Sequence, residues 1–177
     1  MKDGKQSTLI TVLLIIYLLI LAGVILFKLP FYSPVISDGI RVINLIPFKG
    51  SFDENGALLL HEIMNNILIF IPLGIYICLL KREVPFIKKV TVILCTSLLF
   101  EILQFVFALG RTDITDIINN TLGGILGIGI IALLSRVFKN KTIKIISVLA
   151  LVATVFIVLR FAHLFYLSHF VMARQVR

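Results

Sequence analysis

The residues best placed for chemistry fall in two neighbouring stretches. Gly110-Arg111-Thr112-Asp113-Ile114-Thr115-Asp116-Ile117-Ile118-Asn119-Asn120 sets an arginine, two carboxylates and two carboxamides between long apolar runs, and Glu101 and Gln104 lie inside the run before it. A guanidinium in such a place suits bidentate contact with phosphate. Carboxamides serve neutral donors and acceptors of a headgroup or sugar. Carboxylates can take up a proton or hold a water or a cation. On a helix, Asp113, Asp116 and Asn120 share one face through spacings of three and four, and Asp116, Asn119 and Gly123 do the same. Glu101 and Gln104, three apart, also lie on one face.

The elements that must position these groups are membrane helices. The chain has 177 residues, of which 59% are hydrophobic, and a mean hydropathy of +1.10. Soluble domains are roughly half apolar, and here the excess is gathered into runs. The expected fold is a single all-α membrane domain over residues 1–177, with five transmembrane helices near 9–27, 62–80, 90–109, 117–134 and 145–167. The first is read as an uncleaved anchor. A long outer loop, residues 28–56, joins the first two spans. Its segment Ile43-Asn44-Leu45-Ile46-Pro47-Phe48 is too apolar for a solvated connection, so it either dips into the outer leaflet or packs on the bundle. Gly123 and Gly127 form G-x-x-x-G, a signal of close helix packing. Cys78 and Cys95 read as small buried hydrophobes.

The net charge of +8 comes from short basic clusters between apolar runs, which excludes a nucleic-acid groove and reads as an orientation signal. Ten Lys and Arg residues fall on the side of the N-terminus and six on the other, with Arg160 inside a span. By the positive-inside rule the N-terminus is cytoplasmic and, after five spans, the C-terminus is extracytoplasmic.

Depth along each span aligns the polar groups. Asn65 lies 16 residues from Lys81, Gln104 lies 15 from Lys89, Asn120 lies 16 from Arg136 and Arg160 lies 16 from Lys144. At ~1.5 Å per residue all four stand roughly 23–24 Å up a hydrocarbon core about 30 Å thick. Glu101 lies one turn deeper. A charged side chain facing lipid costs about 2.5–3.5 kcal/mol even on the milder insertion scale, so Glu101 and Arg160 are expected to face the bundle interior, paired with each other or with Arg111 in reach of the carboxylates. Helix glue is the plainer use of such groups, at ~0.6 kcal/mol per contact. Their concentration in one half of the protein favours a site.

No metal or cofactor is expected. His61-Glu62-Ile63-Met64-Asn65 lacks the second histidine of a zinc helix, and Asp113-x-x-Asp116 lacks a third acidic ligand.

At these residues the chain resembles the VanZ-like family. The resemblance rests on Asn44-Leu45-Ile46-Pro47-Phe48, on Asn65-Asn66-Ile67-Leu68-Ile69-Phe70-Ile71-Pro72-Leu73-Gly74, on Glu101-Ile102-Leu103-Gln104 and on Gly110–Gly124, in that order. It implies a small multi-pass protein of the bacterial cytoplasmic membrane and cell envelope. The family's namesake is associated with resistance to the glycopeptide antibiotic teicoplanin. The resemblance supplies no reaction.

Three readings follow. In the first, an outward-facing polar pocket binds an envelope lipid or a lipid-linked cell-wall intermediate and alters glycopeptide susceptibility. Arg111 and Arg160 then contact phosphate, and Asn65, Asn66, Gln104, Asn119 and Asn120 bond neutral headgroup atoms. In the second, the same site is an intramembrane enzyme. Glu101, the deepest carboxylate, is the general base, and Asp113 or Asp116 positions a proton, water or cation. The third, a lipid translocator, is opposed by the nearly uninterrupted apolar composition of the cytoplasmic halves of the spans.

Overall fold

The computed structural model describes residues 2–26, 41–52, 56, 58–109, 111–142, 144–152, 155 and 159. The protein is an all-α membrane protein. Among the described residues, four helices are long and apolar enough to cross a membrane: α1 (Lys2–Leu26), α2 (Leu60–Leu80), α3 (Phe86–Val106) and α4 (Ile114–Phe138). A 3₁₀ turn, Lys139–Lys141, leads into a fifth helix, α5, helical at 144–152. Thr142 holds this corner: its hydroxyl is hydrogen-bonded to the carbonyls of Leu134 and Lys139 at 3.2 and 2.8 Å. Arg160 and the remainder of the expected fifth span lie outside the described residues.

The helices are apolar on their outer faces as well as inside, as lipid requires. What distinguishes the inner faces is fit. On α1, Ile10, Leu13, Tyr17 and Leu21 recur every three or four residues and are buried. Tyr17 stacks obliquely on Tyr76 of α2, with ring centroids 5.6 Å apart, and its hydroxyl donates to the Ile69 carbonyl at 2.6 Å.

The α2–α4 pair is the closest in the bundle, and glycine is the reason. A Cβ on Gly123 would strike the carbonyl of Ile67, one on Gly127 the carbonyl of Ile71, and one on Gly74 the carbonyl of Gly124. Backbone therefore lies directly on backbone across this seam, as the G-x-x-x-G spacing predicts. Gly124 faces the third neighbour, where a Cβ would fall 2.5 Å from a methyl carbon of Ile93 on α3. Gly129 has open space and no such role.

Helix ends differ from hydropathy counts for local reasons. The third span, expected at 90–109, begins at Phe86, because the helix starts directly after Pro85 and carries Lys88 and Lys89 in its first turn. It closes at Phe107, where the Leu109 N–H donates to the Gln104 carbonyl at 2.9 Å and the Ala108 N–H to the Phe105 carbonyl at 3.2 Å. That is a Schellman end, with Ala108 at φ 52° where glycine is usual. The fourth helix starts at Ile114, ahead of the expected 117, because Asp113 caps it. Cys78 is buried as expected, whereas Cys95 is exposed on the outer face of α3; both are free thiols.

One element was not anticipated. Residues 42–44 and 111–113 form a two-stranded parallel pair, β1 (Val42–Asn44) and β2 (Arg111–Asp113), with Asn44 opposite Asp113. The loop before α2 thus packs on the bundle through backbone hydrogen bonds. After β1 the chain turns at Ile46–Lys49, with the Lys49 N–H donating to the Ile46 carbonyl at 3.2 Å and Phe48 at φ 61°.

Candidate functional site

The site grows from Asp113, the last residue of β2 and the cap of α4. Its Oδ1 accepts the Thr115 N–H at 2.8 Å, satisfying one of the unpaired amides at the helix start. Its Oδ2 accepts the Asn44 side-chain amide at 2.8 Å, tying β1 to the cap. Its own N–H donates to Glu101 Oε2 at 3.0 Å. One buried aspartate therefore joins the loop before α2 to α3 and α4. Thr112 adds a bond from its hydroxyl to the Glu101 carbonyl at 3.2 Å, and the Thr115 hydroxyl accepts the Phe48 N–H at 2.9 Å. Glu101, 2% exposed, serves as the brace on the α3 side.

Around this junction lies a cavity of about 440 Å³. Arg111, Asp113, Asp116 and Asn119, all expected as site residues, form part of its wall. Glu62 contributes from α2, Gly50 and Ser51 from the loop, and Thr115 from α4. Gly50 keeps the wall open: a Cβ there would come within 2.9 Å of both Arg111 Nη1 and Asp113 Oδ2. Asp116 Oδ1 accepts the side-chain amide of Asn66 at 2.6 Å, fixing the carboxylate against α2. Among the described residues Arg111 forms no ion pair, while the exposed His61 and Glu62 lie 4.0 Å apart. Each aspartate accepts a neutral donor, Asn44 on Asp113 and Asn66 on Asp116. No cluster of three potential metal ligands occurs among the described residues.

The layer read from depth does not converge as a whole on this cavity. Asn66 reaches it only through Asp116, while Asn65 is exposed. Gln104 turns to α1, donating to the Ile25 carbonyl at 3.0 Å. Asn120 turns to α3, donating to the Ser97 hydroxyl at 3.0 Å in the buried core. Asn119 and Asn120 are neighbours in sequence and equal in depth, yet ~100° apart around the helix, so one meets the cavity and the other a helix seam. Glu101 lies behind the wall. Arg160 is outside the described residues.

Asn44, Gly50, Ser51, Glu62 and Thr115 were not anticipated as site residues. For Asn44 a signal existed, its place in the Asn44–Phe48 block of the family resemblance; for Ser51 and Gly50 there was none.

The sequence profile of the VanZ/LLP1 family matches residues 14–138, which take in the second half of α1, the strand pair, the cavity wall and all of α4. The protein named Protein VanZ, from Enterococcus faecium, is 39% identical over 132 residues, covering 73% of this chain and 77% of that protein. No solved structure matches. With a family profile spanning the whole described site and a relative of this identity over most of both chains, this chain belongs to the VanZ/LLP1 family.

Proposed function

We propose that the protein binds the headgroup of an envelope lipid or lipid-linked cell-wall intermediate in the Asp113 cavity, and that this alters susceptibility to teicoplanin-type glycopeptides. The observation that carries the reading is Arg111: an exposed guanidinium, without an ion pair among the described residues, at the wall of a polar cavity in an otherwise apolar bundle. A volume of about 440 Å³ suits a headgroup, since small-molecule sites run to roughly 300–1,000 Å³. The guanidinium takes the phosphate in a bidentate contact. Asn119 and Ser51 bond neutral headgroup atoms, and the acyl chains stay along the helices. The excess of Lys and Arg at the other end of the spans supports an outward-facing cavity in the cytoplasmic membrane. The family resemblance supplies the link to glycopeptides.

Arg111→Ala is the direct test. In a susceptible Gram-positive host the variant is expected to insert and fold as the parent does, to lose lipid co-purifying in native mass spectrometry, and to lose any protection against teicoplanin. A folded Arg111→Ala protein with unchanged lipid retention and unchanged susceptibility removes the assignment.

A further inference from the structure

The bundle has a second cavity, of about 290 Å³, at the opposite end of the same helix pair. Its polar wall is Arg82 from the α2–α3 turn, Lys89 from the first turn of α3, and Ser135 from the last turn of α4; Ile128 and Ile131 supply an apolar side. Asp116 and Ser135 are 19 residues apart on α4, which at a rise of 1.5 Å per residue puts the two cavities about 28 Å apart.

Lys89 is the unusual member. It is only 9% exposed, while its neighbour Lys88 is exposed, as a lysine at a membrane boundary ordinarily is. Its ammonium donates to the Arg82 carbonyl at 3.1 Å and reaches the Cys78 thiol. Both partners are uncharged. Among the described residues no carboxylate lies within ion-pair distance of Lys89 or Arg82, and Glu83 in the same turn is exposed and pairs with neither. A buried ammonium is normally matched by a negative charge, and here the protein supplies none while leaving a cavity in front of it. An ammonium, a guanidinium and a hydroxyl converging on one space offer more donors than a carboxylate can accept, and a tetrahedral phosphate matches them.

We infer that this second cavity is a phosphate-binding site, formed by Lys89, Arg82 and Ser135 and independent of the Asp113 cavity. Its apolar side along Ile128 and Ile131 fits the glycerol and first methylenes of a phospholipid, while its opening fits a soluble phosphate equally.

The experiment uses the full chain in detergent, in an Arg111→Ala background so that lipid held at the other cavity does not count. Phosphatidylglycerol is titrated and bound lipid is measured by native mass spectrometry, with and without competing inorganic phosphate. Arg82→Gln and Lys89→Gln are each expected to weaken retention about tenfold, as for loss of one charge-assisted contact, while Lys88→Gln, which removes the same charge outside the cavity, stays at the parent level. Displacement by inorganic phosphate assigns the site to a soluble phosphate, and persistence of the lipid assigns it to a headgroup. If Lys88→Gln weakens retention as much as the other two, the effect is general basic charge and the site is refuted. The same holds if neither lipid nor phosphate binds, or if Arg82→Gln, which alters an exposed side chain and spares the fold, has no effect.

Discussion

Asp113 is a structural residue set in the wall of the candidate site. Its two oxygens and its amide are engaged by Thr115, Asn44 and Glu101, so its contribution to any ligand comes through holding Arg111 and the loop in register. Asp113→Ala is expected to destabilise the protein by about 1–2 kcal/mol from the lost cap alone, with a further loss because the Asn44 amide is left without its acceptor. Asp113→Asn keeps the acceptor for Thr115 and should cost less. Thermal unfolding in detergent ranks the two; equal losses would show that the cap is not the source. The aspartate pair was legible in the sequence, whereas the helix start was expected three residues later than the Asp113 cap sets it. What was not legible was the direction of each polar group. Asn119 and Asn120 carry the same side chain at the same depth, and only the placement of α2 and α3 around α4 decides that Asn119 borders the cavity while Asn120 bonds to Ser97.

At the level of elements, the glycines of α4 divide sharply. Gly123 and Gly127 lie against carbonyls of α2, whereas Gly129 meets nothing within 4 Å. Gly127→Leu is expected to destabilise by at least about 3 kcal/mol, the upper end for overpacking against an unyielding backbone. The variant should lose the monodisperse peak in size-exclusion chromatography. Gly129→Ala should be neutral or stabilise by up to ~1 kcal/mol, since it only removes a flexible residue from a helix interior. A comparable loss in both variants would mean that helix propensity, not the seam, governs α4. The spacing Gly123-x-x-x-Gly127 announced a close contact; that its partner is α2 follows from Ile67, Ile71 and Gly74 presenting bare backbone at matching intervals. The strand pair was beyond sequence reading for a different reason. Three residues of pairing between segments 69 apart leave no periodicity to detect.

For the whole molecule, the two cavities sit at opposite ends of α2 and α4 with the glycine seam between them. Backbone lies on backbone along that seam, which favours separate binding sites over a path between α2 and α4. The Lys and Arg distribution predicts that the α2–α3 turn at Arg82 is cytoplasmic and the loop at Ser51 is extracytoplasmic. A fluorescent-protein fusion after Glu83 should therefore be bright, and an alkaline phosphatase fusion at Ser51 active. The reverse pattern would put the Asp113 cavity on the cytoplasmic side and end the proposed role at the envelope surface.

By itself the sequence determined what depends on composition and on position along a helix: a membrane protein of long apolar helices, polar residues gathered toward one end, and a glycine seam on α4. These follow from one-dimensional quantities, namely hydropathy over a window, rise per residue and the spacing of small side chains. The tertiary structure decided which of those polar residues meet. It brought Asn44 and Gly50 to Arg111 and Asp113, sent Gln104 and Asn120 into helix contacts, and opened a basic cavity at Lys89. The physical reason is that depth follows from counting residues, whereas the facing of a side chain depends on which neighbouring helix packs against it, and packing is settled only when all the helices are in place.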